Sequence, residues 1–191
     1  MYGWEPGGSV VPWKFDLRCV SWCSPACRGT GKSTLADLAA QALNAPAFAG
    51  DWLMGALKPA VRALVNLDRK TYLELYRSLL RSLIHCQLIL RQSAIADCVV
   101  PDAVLADWRE LADEHGASLL VVECVCTDEV LHRSRVEGRV RGIPGWHEIG
   151  WDHVERMRVE TPALRTDRLT LDAVNPLASN LDVLLRRLDA L

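Results

Sequence analysis

The segment Ala26-Cys27-Arg28-Gly29-Thr30-Gly31-Lys32-Ser33-Thr34 decides the fold that this sequence predicts. Its glycines allow backbone N–H groups to curl around an anion, its lysine suits the β and γ phosphates, and its hydroxyl suits Mg²⁺. A strand pattern precedes the segment and a helical pattern follows it, as such a loop requires. The alternative is a Gly/Ser turn that enters a helix and binds nothing. We predict that a nucleoside triphosphate is bound here by Arg28, Gly29, Thr30, Gly31, Lys32, Ser33 and Thr34.

Outward from this loop, hydrophobic periodicity predicts alternating strands and helices. The predicted strands are 17–24, 47–49, 94–98, 119–126 and 168–171. The predicted helices are 33–43, 102–114, 151–160 and 177–188, with a long helical region at 53–92 and a helix after the fourth strand that Thr127 is placed to cap. This alternation predicts an α/β fold in which helices cover both faces of a parallel sheet.

Aspartates stand at the ends of three of the predicted strands: Asp51 at the second, Asp97 at the third and Asp172 at the fifth. Because the carboxyl ends of parallel strands share one edge of a sheet, we expect these carboxylates beside the loop. There, Asp51 is predicted to be the catalytic base that binds the acceptor, and Asp172 to lie in the wall near the nucleotide base. Asp97 and Ser33 are predicted to hold Mg²⁺. The alternative for each aspartate is a cap on the helix that follows.

Four glycines and one proline between 138 and 150 predict a mobile loop that acts as a lid. Four arginines precede or occupy it: Arg133, Arg135, Arg139 and Arg141. Arginines on a closing lid can neutralise a phosphoryl group in transfer while excluding water. We predict Arg133 and Arg139 as catalytic residues together with Lys32. The alternative is a solvated helix face that is paired with Glu137.

Length and composition bound the classes of function. The 191 residues suit one domain, which we place at 17–191 behind an N-terminal extension at 1–16. A net charge of −2 without a basic tract argues against nucleic acid as the main partner. No apolar run is long enough to span a membrane. The seven cysteines suggest no disulfide framework, which favours a reducing cytoplasm. A homodimer is left open.

With these residues identified, the chain resembles the small P-loop kinases of the nucleotide-kinase-like group. Its likeness is to bacterial kinase-like ATPases related to chloramphenicol phosphotransferase, gluconate kinase and the kinase domain of polynucleotide kinase. The resemblance implies a three-layer α/β/α sandwich whose five parallel strands have the order 2-3-1-4-5. It also implies that Asp51 contacts or deprotonates the acceptor hydroxyl, that the helical region at 53–92 holds the acceptor, and that 138–150 is the lid.

The function that we predict is transfer of the γ-phosphate of ATP, or of another nucleoside triphosphate, to a hydroxyl of a small molecule. Two alternatives stay open at this point. The first is a nucleotide hydrolase or nucleotide-binding regulatory protein that transfers no phosphate to an acceptor. The second is a kinase for the 5′-hydroxyl of a nucleic acid, which the charge balance disfavours.

Overall fold

A computed structural model gives the structure of the protein, and it describes residues 18–22, 29–60, 66–146, 148–160 and 162–191. Strands and helices alternate along these residues, so the predicted α/β class is confirmed. The strands are β1 (Arg18–Trp22), β2 (Ala47–Ala49), β3 (Ala94–Asp97), β4 (Ser118–Val125) and β5 (Leu169–Asp172). The α-helices are α1 (Lys32–Leu43), α2 (Gly50–Ala56), α3 (Arg69–Ile89), α4 (Asp102–Glu114), α5 (Glu129–Glu137), α6 (Trp151–Glu160) and α7 (Leu177–Asp189), and a 3₁₀ turn spans Lys58–Ala60.

The strands form one parallel sheet in the order β2-β3-β1-β4-β5. Its register brings three strand ends level: Asp97 lies opposite Trp22 of β1 and also opposite Ala49 of β2. Since all strands run the same way, the residues that follow β1, β2 and β3 gather at one edge. This edge carries the candidate site.

Helices cover both faces of the sheet. Successive residues of a strand point to opposite faces, and Ile95 and Ala96 accordingly belong to different core clusters. On one face, α3 and α4 contribute the buried residues Leu80, Ile84, Leu88, Leu105, Trp108 and Leu111. On the other face, α1 and α7 contribute Leu35, Ala36, Ala39, Leu184 and Leu188. Burial on both sides holds the strand ends in place, and with them the side chains of the site.

The helical region predicted at 53–92 is divided. α2 and the 3₁₀ turn come first, α3 begins at Arg69, and residues 61–65 lie outside the described part of the chain. Asp68 starts α3, because its carboxylate accepts hydrogen bonds from the backbone N–H of Thr71 at 3.0 Å and from its hydroxyl at 2.8 Å. The helices predicted at 102–114 and 151–160 have the observed bounds.

The prediction that Thr127 caps α5 is wrong. The cap is Asp128, whose carboxylate accepts a hydrogen bond from the N–H of Leu131 at 2.9 Å. Thr and Asp both suit a cap, so the position at which α5 begins after the end of β4 decides which of them caps it. Thr127 instead donates its hydroxyl hydrogen to Asp172 at 2.6 Å.

The segment that was predicted to be an N-terminal extension, 1–16, lies outside the described residues, as do Ala26, Cys27 and Arg28 of the loop. Among the helices that are described, none combines the length and the apolar character needed to cross a membrane.

Candidate active site

The described part of the loop has the backbone that its glycines were predicted to supply. Gly29 and Gly31 have φ angles of 79° and 73°, a region that other residues rarely adopt. A Cβ at Gly29 would lie 2.6 Å from Cγ2 of Val136, so α5 also leaves no room for a side chain there. α1 then begins at Lys32 without a side-chain cap or an acidic residue in its first turn. Its unpaired N–H groups are therefore available to an anion.

Lys32 and Asp97 form an ion pair at the end of β3. The lysine side chain is 13% exposed and the aspartate side chain 5% exposed, so the pair is largely shielded from water. This contact brings together two residues that sequence analysis assigned to the phosphates and to Mg²⁺. Because a buried carboxylate needs a charged or hydrogen-bonding partner, the ion pair offsets part of the cost of burying both side chains.

Asp51 lies in the first turn of α2 and forms an ion pair with Arg141. The helix cap is Ala49, with no side-chain hydrogen bond, so Asp51 does not cap α2. Nη2 of Arg141 also lies 3.5 Å from Oγ of Ser33 in the first turn of α1. One guanidinium thus spans the space between the phosphate loop and the aspartate that was predicted to be the base.

Residues 138–150, described except for residue 147, reach this position through close backbone contacts with α2. A Cβ at Gly55 would lie 2.5 Å from the carbonyl oxygen of Pro144, and one at Gly145 would lie 2.9 Å from Cβ of Lys58. Glu148 links the two ends of this segment, because its carboxylate accepts hydrogen bonds from the backbone N–H groups of Arg141 at 2.9 Å and Gly142 at 3.2 Å. These contacts hold Arg141 over Asp51.

The four arginines have different surroundings. Arg133 is 58% exposed and donates to Glu137 at 2.8 Å, one turn along α5, which is the alternative that the sequence left open for this face. Its guanidinium also lies over the ring of Trp151, and it lines none of the cavities at the sheet edge. Arg135 donates to the carbonyl oxygen of Ala173 at 3.0 Å. The structure therefore leaves Arg133, a predicted catalytic residue, outside the site.

Three cavities meet at this edge of the sheet. The loop cavity, of about 300 Å³, extends from Gly29 and Thr34 to Asn175 and Asn180. The acid cavity is a small space whose lining includes Lys32, Ser33, Asp51, Tyr76, Asp97 and Arg141. The outer cleft, of about 530 Å³, shares Ser33, Asp97 and Arg141 with the acid cavity and opens past Asp37 and Trp52. Arg139 lines all three cavities, beside the loop.

Asp172 supports the wall of the loop cavity from behind. Its carboxylate accepts hydrogen bonds from the N–H of Thr127 at 3.2 Å, the hydroxyl of Thr127 at 2.6 Å and the N–H of Val174 at 3.1 Å. Its carbonyl oxygen accepts from Nδ2 of Asn180 at 2.8 Å. The cavity itself is lined by Ala173, Asn175 and Asn180 rather than by the Asp172 carboxylate.

Two further features of the site were assigned no role from the sequence. His132, fully buried in α5, lies against Gly29, and its Nδ1 accepts a hydrogen bond from Arg158 at 2.9 Å. Tyr76 of α3 lines the acid cavity and packs on Gly50, where a Cβ would collide with its ring. Burial, together with the negative charge of Asp51, raises the pKa of the neighbouring Tyr72. Both tyrosines belong to the region at 53–92 that the resemblance implied as the acceptor site, and their spacing of four residues places them on one face of α3.

Solved structures of other proteins share this fold over most of both chains. A gluconokinase from Sinorhizobium meliloti 1021 is 19% identical with a TM-score of 0.61, covering 91% of this chain and 91% of that chain. A sugar kinase from Janibacter sp. HTCC2649 is 18% identical with a TM-score of 0.64, covering 90% and 93%. The Mycobacterium tuberculosis APS kinase, in complex with AMPPNP and APS, is 16% identical with a TM-score of 0.57, covering 91% and 98%.

At these identities the likeness concerns the fold. The chain has the P-loop nucleotide-kinase-like fold that its loop motif indicated. No protein-family profile matches the chain, and no curated protein matches its sequence significantly.

Proposed function

We propose that this protein is an ATP-dependent phosphotransferase that moves the γ-phosphate of ATP to a hydroxyl of a small molecule. The observation that carries the proposal is the convergence of Lys32, Asp97, Asp51 and Arg141 around one small cavity at the sheet edge. A nucleotide-binding regulatory protein needs the phosphate loop, but it does not need an aspartate and an arginine paired beside it. Proteins named gluconokinase, sugar kinase and APS kinase share the fold, which supports the same class.

ATP is the nucleotide that the loop cavity favours. Guanine presents an N1–H and an amino group side by side, and a carboxylate is the acceptor that best satisfies both. No carboxylate lines the described wall of the loop cavity, because Asp172 turns its oxygens to Thr127 and Val174. The amide of Asn175 and the apolar side chain of Leu177 suit adenine. The loop amides and Lys32 would bind the phosphates at the other end of the cavity.

In the proposed reaction the acceptor hydroxyl lies beside Asp51. The carboxylate takes the hydroxyl proton while the oxygen attacks the γ-phosphorus, the bond from that phosphorus to the β–γ bridging oxygen breaks, and ADP leaves. Before this step Arg141 moves from Asp51 to the γ-phosphate, where it neutralises the negative charge of the phosphoryl group during transfer. This exchange frees Asp51 to act as a base at the moment when the phosphate arrives, and it gives the 138–150 segment the role of a lid.

We also propose that the site binds Mg²⁺, because the chain offers suitable oxygen ligands there. Ser33 and Asp97 present a hydroxyl and a carboxylate, the hard oxygen ligands that Mg²⁺ prefers. No cluster of three or more His, Cys, Asp or Glu residues that could hold a metal occurs in the described part of the chain. An ion held by two protein side chains together with phosphates and water fits that finding. Bound there, Mg²⁺ would supply positive charge to the phosphates.

The proposal also includes a cytoplasmic location and a single domain at 17–191.

The choice among the arginines is tested by Arg141→Ala beside Arg133→Ala. Arg141→Ala should lower the rate of phosphoryl transfer roughly 100- to 1,000-fold, because the charge on the moving phosphoryl group loses its neutralising partner. Arg133→Ala, which removes only an exposed pair with Glu137, should change it less than about twofold. Steady-state measurement of the transfer rate in both variants shows which arginine contributes to the reaction. Equal losses in the two variants would contradict the assignment of Arg141.

The proposed function is tested by ADP release in the presence of Mg·ATP and a panel of small hydroxylated compounds. We expect at least one compound to raise the rate of ADP release well above its rate without acceptor, and Lys32→Ala to abolish that increase. A release rate that no compound changes would favour a nucleotide hydrolase instead. A 5′-hydroxyl oligonucleotide is included as a separate arm, and labelling of it in preference to every small compound would favour a nucleic-acid kinase.

A further inference from the structure

Trp52 stands out at the outer cleft because it is 53% exposed. The other Trp, Tyr and Phe side chains that the structure describes are buried or partly buried. The indole Nε1–H of Trp52 makes no hydrogen bond within the described chain. Its apolar ring and its donor are both available to a ligand, a combination that tryptophan often presents in binding sites.

The fold keeps this side chain in the cleft. α2 turns the residues after Trp52 inward, since Met54 is buried and Leu53 packs against the core of α3 and α4. Gly55, on the same helix, is pressed against Pro144. The helix is thereby fixed at its far end, and Trp52 remains next to Asp51, the proposed base, on the open side of the cleft.

The charges around the cleft restrict what lies against that ring. Three basic side chains line the acid cavity or the outer cleft, namely Lys32, Arg139 and Arg141, and all three adjoin the loop that binds phosphates. Once these serve the nucleotide, Asp37 and Asp51 remain on the acceptor side. A carboxylate or phosphate on the acceptor would then meet like charges without a compensating cation in the described lining.

From these observations, and on the basis of the proposed function, we infer that the acceptor is an uncharged cyclic polyol whose ring packs on Trp52. A sugar ring has an apolar C–H face that covers the indole and hydroxyls that accept from Nε1–H. A ring also loses less conformational freedom on binding than an open chain of the same composition. Free sugars and nucleosides share this chemistry, and the test separates them.

The test compares compounds that differ in one property. D-glucose and D-glucuronate differ in charge, and D-glucose and D-sorbitol differ in ring closure; D-ribose and uridine extend the comparison to a furanose with and without a base. The indole Nε1–H resonance of Trp52, assigned by its disappearance in Trp52→Phe, is followed in the holoprotein with Mg·ADP. We expect at least one uncharged ring compound to shift it and D-glucuronate and D-sorbitol to leave it in place. A larger shift with either of the latter two would overturn the inference.

Kinetics with the best acceptor supply the second measurement. Trp52→Ala should raise the KM for that acceptor at least about tenfold with the KM for ATP nearly unchanged, and Trp52→Phe should restore most of the affinity. Ile89→Ala, which truncates an exposed side chain outside these cavities, is the control and should change neither constant. An unchanged acceptor KM in Trp52→Ala, or loss of a dimer as that variant's sole effect, would overturn the inference and leave the proposed function standing. Ring compounds that shift the resonance and never receive phosphate would overturn the proposed function instead.

Discussion

Lys32→Met is expected to lower phosphoryl transfer by at least about 1,000-fold, because the substitution removes the positive charge at the first residue of α1, beside the phosphates. The same change leaves the carboxylate of Asp97 buried without its partner. Removing one partner of a buried ion pair lowers the free energy of unfolding by about 3 kcal/mol. Stopped-flow or quench-flow measurement of the transfer rate, together with a urea unfolding curve, gives both quantities.

A double variant separates the two effects. In the double variant Lys32→Met with Asp97→Asn, a neutral amide replaces the buried carboxylate. Most of the lost unfolding free energy should therefore return. Transfer should remain at least as slow as in the single variant, since the lysine is still missing and the proposed Mg²⁺ ligand has been removed as well. Recovery of transfer along with stability would mean that Lys32 acts only by supporting the fold, and that outcome would contradict its role in binding phosphate.

Asp51→Asn is expected to slow phosphoryl transfer by roughly two to four decades while ATP binds with nearly unchanged affinity. The asparagine keeps the size of the side chain and its place in the first turn of α2, but it cannot take the proton of the acceptor. It also loses the ion pair with Arg141, which should free that arginine for the phosphates. Calorimetric titration with a non-hydrolysable ATP analogue and single-turnover rates measure the two properties separately.

The matched control for this variant is Asp152→Asn. Asp152 is likewise an acidic residue in the first turn of a helix, α6, and it lines none of the three cavities. Its substitution removes the same favourable interaction with a helix dipole, worth less than about 1 kcal/mol, and should leave transfer near normal. Equal rates for Asp51→Asn and wild type would remove Asp51 from the mechanism.

The phosphate loop and the strand ends were open to prediction because both depend on local pattern. Gly29 and Gly31 have the left-handed backbone that a phosphate loop demands, and the strand predicted at 94–98 ends within one residue of the observed end of β3 at Asp97. In a parallel sheet that stopping point determines the edge on which a side chain lies. That Asp97 lies at the same edge as Lys32 follows from these two local facts together, whereas their ion pair was not predicted.

The choice of arginine was not predictable in the same way. Arg133 and Glu137 are four residues apart on one helix, so their pairing depends on local geometry and was recognised as an alternative. Arg141 lies beyond the end of α5, and its position depends on contacts between Gly55, Pro144 and Gly145, which are far apart in the sequence. Periodicity carries no information about a contact of that kind.

The role of Asp172 shows a related limit. Its place at the end of β5 was predicted within one residue, yet the direction of its carboxylate depends on Thr127, which follows the neighbouring strand β4. The exposure of Trp52 likewise depends on which face of the short helix α2 meets the core. Seven residues contain too few turns for a pattern of apolar residues to decide that face.

The most direct test of the central claim, that the loop and Asp51 serve one transfer reaction, is the stoichiometry of a single turnover. The protein, in excess over γ-labelled Mg·ATP, is mixed with the best acceptor, and ADP, inorganic phosphate and the phosphate ester are quantified. We expect one phosphate ester for each ADP and almost no inorganic phosphate, and in Asp51→Asn we expect the ester yield to collapse on the same timescale. Equal amounts of ADP and inorganic phosphate, with no ester formed on any acceptor, would contradict it.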